Sequence, residues 1–80
     1  MDIIVKHFDE LSARELFEIY KLRVSVFVVE QKCPYQEVDD ADKSAYHIML
    51  RDADGIQAYA RVLPPGVYFD DAAIGRVIAV

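Results

Sequence analysis

From Ala13 to Cys33 the chain contains neither glycine nor proline, and this unbroken run is bracketed by a start and a stop signal for a helix. Ser12 is a good N-cap and Glu15 lies three residues on, which makes a capping box. Leu11 and Leu16 stand where a hydrophobic staple would close the entry. Leu16, Ile19, Tyr20 and Phe27 fall along one helical stripe, flanked by Phe17 and Val24. Pro34 cannot continue the helix. Within the run, "VSVFVV" is β-branched and alternates, so propensity alone favours a strand there. No turn signal separates it from the residues before it. The pattern therefore predicts one helix to about Gln31, its back half held by burial rather than propensity.

The rest of the chain reads as strands. "DIIVKHF" is short and rich in β-formers. "QEVDDADKS" is a polar loop with room for a helical turn. "AYHIMLRD" and "IQAYARVLP" read as a hairpin, with Asp54-Gly55 as its turn signal. "PPG" turns the chain again before a last strand, "AAIGRVIAV". The order is strand, long helix, acid-rich loop, then three antiparallel strands. That is a single small α+β domain, without repeats or low-complexity segments.

Composition narrows the function. A chain of 80 residues with 54% hydrophobic content carries more apolar surface than a small self-sufficient domain needs. It suits part of a larger core, or a subunit that buries a face on a partner. A net charge of −5 argues against nucleic acid and against anionic membrane surfaces. No basic leader precedes an apolar run, and no apolar stretch reaches the roughly 18 residues that span a bilayer. A single cysteine, Cys33, cannot form an internal disulfide, which points to a reducing, cytoplasmic setting.

Few residues offer chemistry. Glu37, Asp39, Asp40 and Asp42 cluster, but an EF-hand needs a sixth-position Gly, where Ala45 stands counting from Asp40, and a twelfth-position Glu. The cluster reads as a solvated loop, or as an acidic mouth that attracts a cationic amine. Cys33, His7 and His47 are too scattered for a metal site. Cys33 reads as a packed small residue, and His47, mid-strand, as a hydrogen-bonded structural histidine. No Gly-rich phosphate loop is present.

One block is more specific. "ELFEIYKLRVSVFVVEQKCPYQEVDDAD" resembles the run LYxLxxLRxxVFVVEQxCPYQExDxxD of ElaA-like members of the GNAT-type N-acetyltransferases. "AYARVLPPG" and "AAIGRVIAV" are similar to the same family in order and spacing. The resemblance implies the fold order β1–α1–α2–β2–β3–β4, an antiparallel sheet with helices packed on it. Residues 1–80 would then be the N-terminal half of a GNAT domain. It implies acetyl transfer from acetyl-CoA to a primary amine of a small molecule or protein. The fourth strand would bind the cofactor's pantetheine arm through the backbone of Ile78, Ala79 and Val80. Glu30, where the apolar run turns polar, becomes the candidate base, its pKa raised by burial. The competing role for Glu30 is a helix cap or a structural salt bridge, the latter to Arg23 or Arg61. The family's pyrophosphate loop, Arg/Gln-x-x-Gly-x-Gly/Ala, would follow Val80, so this chain alone is expected to be inactive.

Three other readings stand beside this one. Acyl-homoserine-lactone synthases share the "LRxxVF" helix but lack "EQxCPYQ". A non-catalytic module would pair its open edge strand with a partner chain or a second copy. A shortened gene product would have no function of its own.

Overall fold

A computed structural model of the chain describes residues 1–67 and 69–80. Four strands, β1 (Asp2–His7), β2 (Tyr46–Asp52), β3 (Gly55–Leu63) and β4 (Ala73–Ala79), form one antiparallel sheet in the order β1-β2-β3-β4. Helix α1 (Ala13–Arg23) packs on one face, giving the expected α+β class. Its start follows the capping signals. The Ser12 hydroxyl accepts the Glu15 N–H at 3.1 Å, and the Glu15 carboxylate accepts the Ser12 N–H at 2.9 Å. That backbone bond, with Lys6 at 2.9 Å, holds the Glu15 carboxyl below its ordinary value.

The back half of the predicted helix takes a different form. Val24–Glu30 continues the helical path as a π-helix, closed by the Gln31 N–H on the Val26 carbonyl at 3.0 Å. None of its residues is fully buried. Val26 and Phe27 pack on the core, while Val29 is 67% exposed. Burial on one side is enough to keep the β-branched run from becoming a strand. In place of a second α-helix stands a 3-10 turn, Asp40–Ser44.

Register explains how the sheet is divided. Ile4, Met49, Tyr59 and Ile78 align as one row across all four strands, and Ile19 of α1 closes over them. Two residues along in β1, β2 and β3, and three in β4, the next row on the same face is Lys6, His47, Arg61 and Gly75. An apolar row and a polar row therefore lie side by side under the helix. Ala41, Ala45 and Leu63 form a second small cluster.

The hairpin turn between β2 and β3 is Ala53–Asp54, closed by the pair Asp52 and Gly55. Gly55 takes φ +116°, a value open to glycine at little cost. On the opposite face of the sheet Ile3, Val5, Ile74 and Val77 are 58–73% exposed. Much of the excess hydrophobic content lies there. No helix among the described residues is long and apolar enough to cross a membrane.

Candidate active site

Three arginines and three acids form a closed circuit at the polar row. Arg23, at the end of α1, binds Glu37 at 2.6 Å and Asp42 at 2.7 Å. Arg61 of β3 binds Asp42 at 3.1 Å and Asp39 at 2.9 Å. Arg76 of β4 binds Glu37 at 2.9 Å and approaches Asp39 at 3.7 Å. Opposite charges alternate around the circuit, so it carries no net charge. Arg23 has no solvent exposure, and Asp42 has 1%. The Arg23 guanidinium also lies over the Tyr20 and Tyr59 rings, at 5.3 and 5.9 Å.

Neither sequence reading of the acid cluster survives this geometry. Glu37, Asp39 and Asp42 are not a solvated loop, and they are not a free acidic mouth. The arginines neutralise them, and only Asp40 points freely to solvent, beside Lys43. Burial pushes the Asp42 carboxyl up. The hydrogen bonds and charges of Arg23 and Arg61 outweigh it and hold the group below its ordinary value. Burial pulls the Arg23 guanidinium down, but its contacts with Asp42 and Glu37 outweigh that and hold it above its ordinary value.

His47 is fully buried and bonded at both nitrogens, as a structural histidine should be. Its Nε2 lies 3.1 Å from the Asp42 carbonyl, and its Nδ1 lies 2.7 Å from the Tyr59 hydroxyl. A carbonyl can only accept, so Nε2 carries the proton and Nδ1 accepts from Tyr59. Burial lowers the pKa of His47 and keeps it neutral. Burial also pushes the Tyr59 phenol up to about 12, so it too stays protonated.

A cleft of about 260 Å³ opens beside the circuit, lined by Phe27, Gln31, Cys33, Tyr35, Glu37 and Arg76. It lies between the end of the π-helix, the following loop and β4. There β4 is irregular. Tyr59 pairs with Ile78 and Arg61 with Gly75, so Arg76 and Val77 together face Ala60. This is a β-bulge, and Arg76 takes φ +53° within it. A left-handed conformation costs a residue with a side chain about 1–2 kcal/mol, so contacts elsewhere must hold it. No group of three or more His, Cys, Asp or Glu side chains among the described residues is placed to hold a metal ion.

Comparison with known proteins bears on this geometry. No family model matches the chain. A UPF0039 protein of Schizosaccharomyces pombe is 47% identical over 98% of the chain and 51% of its own length. Protein ElaA of Escherichia coli is 43% identical over 90% of the chain and 48% of its length. The crystal structure of Escherichia coli ElaA matches at a TM-score of 0.88 and 40% identity, covering 98% of this chain and 54% of that one. An acyl-CoA N-acyltransferase from Pseudomonas aeruginosa matches at 0.90 and 42%, covering 99% and 56%. The chain is ElaA-like, with a GNAT acyl-CoA N-acyltransferase fold. It spans about half the length of the curated relatives it matches.

The ElaA-like chain disposes its expected site residues unevenly. Glu30 is exposed at the end of the π-helix and does not line the cleft. The burial expected of Glu30 is therefore not found. Its alternative salt bridge fails too, because Arg23 and Arg61 are taken by Glu37, Asp39 and Asp42.

Ile78, Ala79 and Val80 do lie together at the end of β4. The Val80 N–H is bound to the Gln57 carbonyl at 2.9 Å. By ladder alternation Ile78 also faces β3, and Ala79 turns its backbone to the open edge. Arg76 escaped the sequence reading as a cleft residue, whereas Glu37 entered it as one acid of a possible mouth for an amine. The one available signal was a charged Arg76 inside an otherwise apolar strand.

Proposed function

We propose that the chain is the front part of a GNAT N-acetyltransferase that moves acetyl from acetyl-CoA to a primary amine. The observation that carries this reading is the bulged, open-edged β4 beside a polar-rimmed cleft, on a fold shared with an acyl-CoA N-acyltransferase. A neutral amine in the cleft attacks the thioester carbonyl. A base takes the amine proton, and CoA leaves as its thiol. The Ala79 backbone faces the edge along which the pantetheine arm would lie, with Ile78 and Val80 setting that strand's register. Backbone N–H groups at such an edge polarise the carbonyl. A cytoplasmic setting belongs to the same proposal.

The test is thiol release from acetyl-CoA with a panel of primary amines, on the chain extended to the length of its relatives. Release above the rate without amine is expected; no release with any amine sinks the proposal. The described residues hold no Gly-rich phosphate loop, so the 80-residue chain alone is expected to show no micromolar acetyl-CoA affinity.

Glu30 remains the proposed base, from its place where the helical segment ends; because it lies outside the cleft lining, it would take the amine proton through a bridging water. In the active protein Glu30→Gln is expected to lower kcat ~100-fold. A loss under about threefold removes Glu30 from the mechanism, given the size such catalysis usually has.

A second reading rests on the open β4 edge and the exposed apolar face of Ile3, Val5, Ile74 and Val77. Both would be covered in an interaction module that pairs with a second copy or a partner chain. A concentration-dependent dimer in light scattering favours it, and a monomer at all concentrations excludes self-pairing.

A further inference from the structure

We propose that Glu37 is a positioning residue: through Arg76 it holds the β4 bulge in its left-handed turn and so sets the strand edge offered to acyl-CoA. Its use for acyl-CoA rests on the transferase reading above.

The strain in β4 falls on an unexpected residue. Gly75 stands next door and could take a positive φ freely, yet Arg76 takes it, at +53°. The side chain accounts for the difference. Arg76 Nε donates to both Glu37 carboxylate oxygens, at 2.9 and 3.2 Å, and its Nη2 reaches the Glu37 carbonyl at 3.4 Å.

Glu37 is itself anchored from the opposite side. Arg23 Nε donates to its carboxylate at 2.6 Å, and Arg23 Nη2 donates to its carbonyl at 2.7 Å. Arg23 is fully buried and fixed by Asp42 at 2.7 Å. A rigid path therefore runs from α1 through the loop to the bulge, two residues before Ile78. Glu37 and Arg76 also line the cleft, so whatever enters it meets the residues that shape the strand.

Amide hydrogen exchange by NMR, on the chain without ligand, separates a positioning role from a merely structural one. Arg76→Gln removes the tie but keeps a Cβ at the strained position. Arg76→Gly removes the tie and the strain together. Arg76→Gln is expected to speed exchange of the β3–β4 ladder amides at least ~tenfold, while Arg76→Gly stays within about threefold of the parent. The β1–β2 ladder is expected to be unchanged in both. Glu37→Gln is expected to behave as Arg76→Gln does; if it unfolds the whole chain, the two substitutions at Arg76 decide the matter.

Equal exchange in Arg76→Gln and Arg76→Gly, or an unchanged β4 ladder in a folded Glu37→Gln, overturns the proposal. These samples contain no acyl-CoA. Failure of the transferase reading therefore appears only in the thiol-release assay, and failure of the tie appears only here.

Discussion

Arg23→Ala is expected to remove a large share of the protein's stability. The substitution strands Asp42 at 1% exposure and removes the Glu37 contact at 2.6 Å. Breaking one side of a buried ion pair costs about 3–5 kcal/mol, because the partner is left charged and dry. It also takes away a cation that lies over the Tyr20 and Tyr59 rings. A chain of this size is stable by only about 4–12 kcal/mol, so the loss removes a large share of it. Arg23→Lys keeps the charge but cannot fork to Glu37 and Asp42 together, and is expected to fall between. Lys43→Ala breaks only the exposed pair with Asp40 and is expected to leave stability unchanged within error. Urea unfolding followed by circular dichroism measures all three. A loss below about 1 kcal/mol for Arg23→Ala would show that the circuit is not the anchor its burial implies.

Acid is expected to unfold the chain in two steps. His47 is neutral in the fold, and burial lowers its pKa below the ordinary 6.5. Around it stand Asp42, Tyr59, Arg23 and Arg61, and the two arginines further oppose a positive charge. With the folded pKa below the unfolded one, the unfolded chain binds the extra proton first. Stability is therefore full above about pH 6.5 and falls as pH drops through the folded value of His47.

Asp42 gives the second step by the same sign. Its folded pKa lies below the ordinary 3.8, so its contribution is present above that value and is lost as pH falls through the folded one. Protonation then cancels its attraction to Arg23 and Arg61 together, and cooperative loss of the fold is expected. Urea midpoints from pH 8 to pH 3 trace both steps. A His47→Gln chain that still folds should lack the first. A midpoint that stays flat between pH 7 and pH 5 would rule out a buried neutral His47.

The legible and illegible parts of this protein separate by range. Every strand was readable from β-forming residues and turn signals, and α1 from a capping box whose two bonds form as its spacing implies. The specific "VFVVEQKCPYQEVDDAD" block carried the family resemblance. These signals are local, because caps, turns and face alternation depend on residues a few positions apart.

What the sequence left open was which charges meet. Glu37 and Arg76 are 39 residues apart, and Arg23 and Asp42 are 19 apart. In the sequence those acids are only a polar run, and a polar run is most simply solvated. Sheet register brings Arg61 onto the helix-facing side, α1 ends with Arg23 above it, and the bulge turns Arg76 inward.

The same distinction explains Glu30, which looked like the polar tip of a buried run. The π-helix buries only the Val26 and Phe27 side and leaves Glu30 in solvent. Hydrogen-bonded periodicity is written residue by residue along the chain. Pairing of buried charges depends on packing across the sheet, and only the tertiary structure decided it.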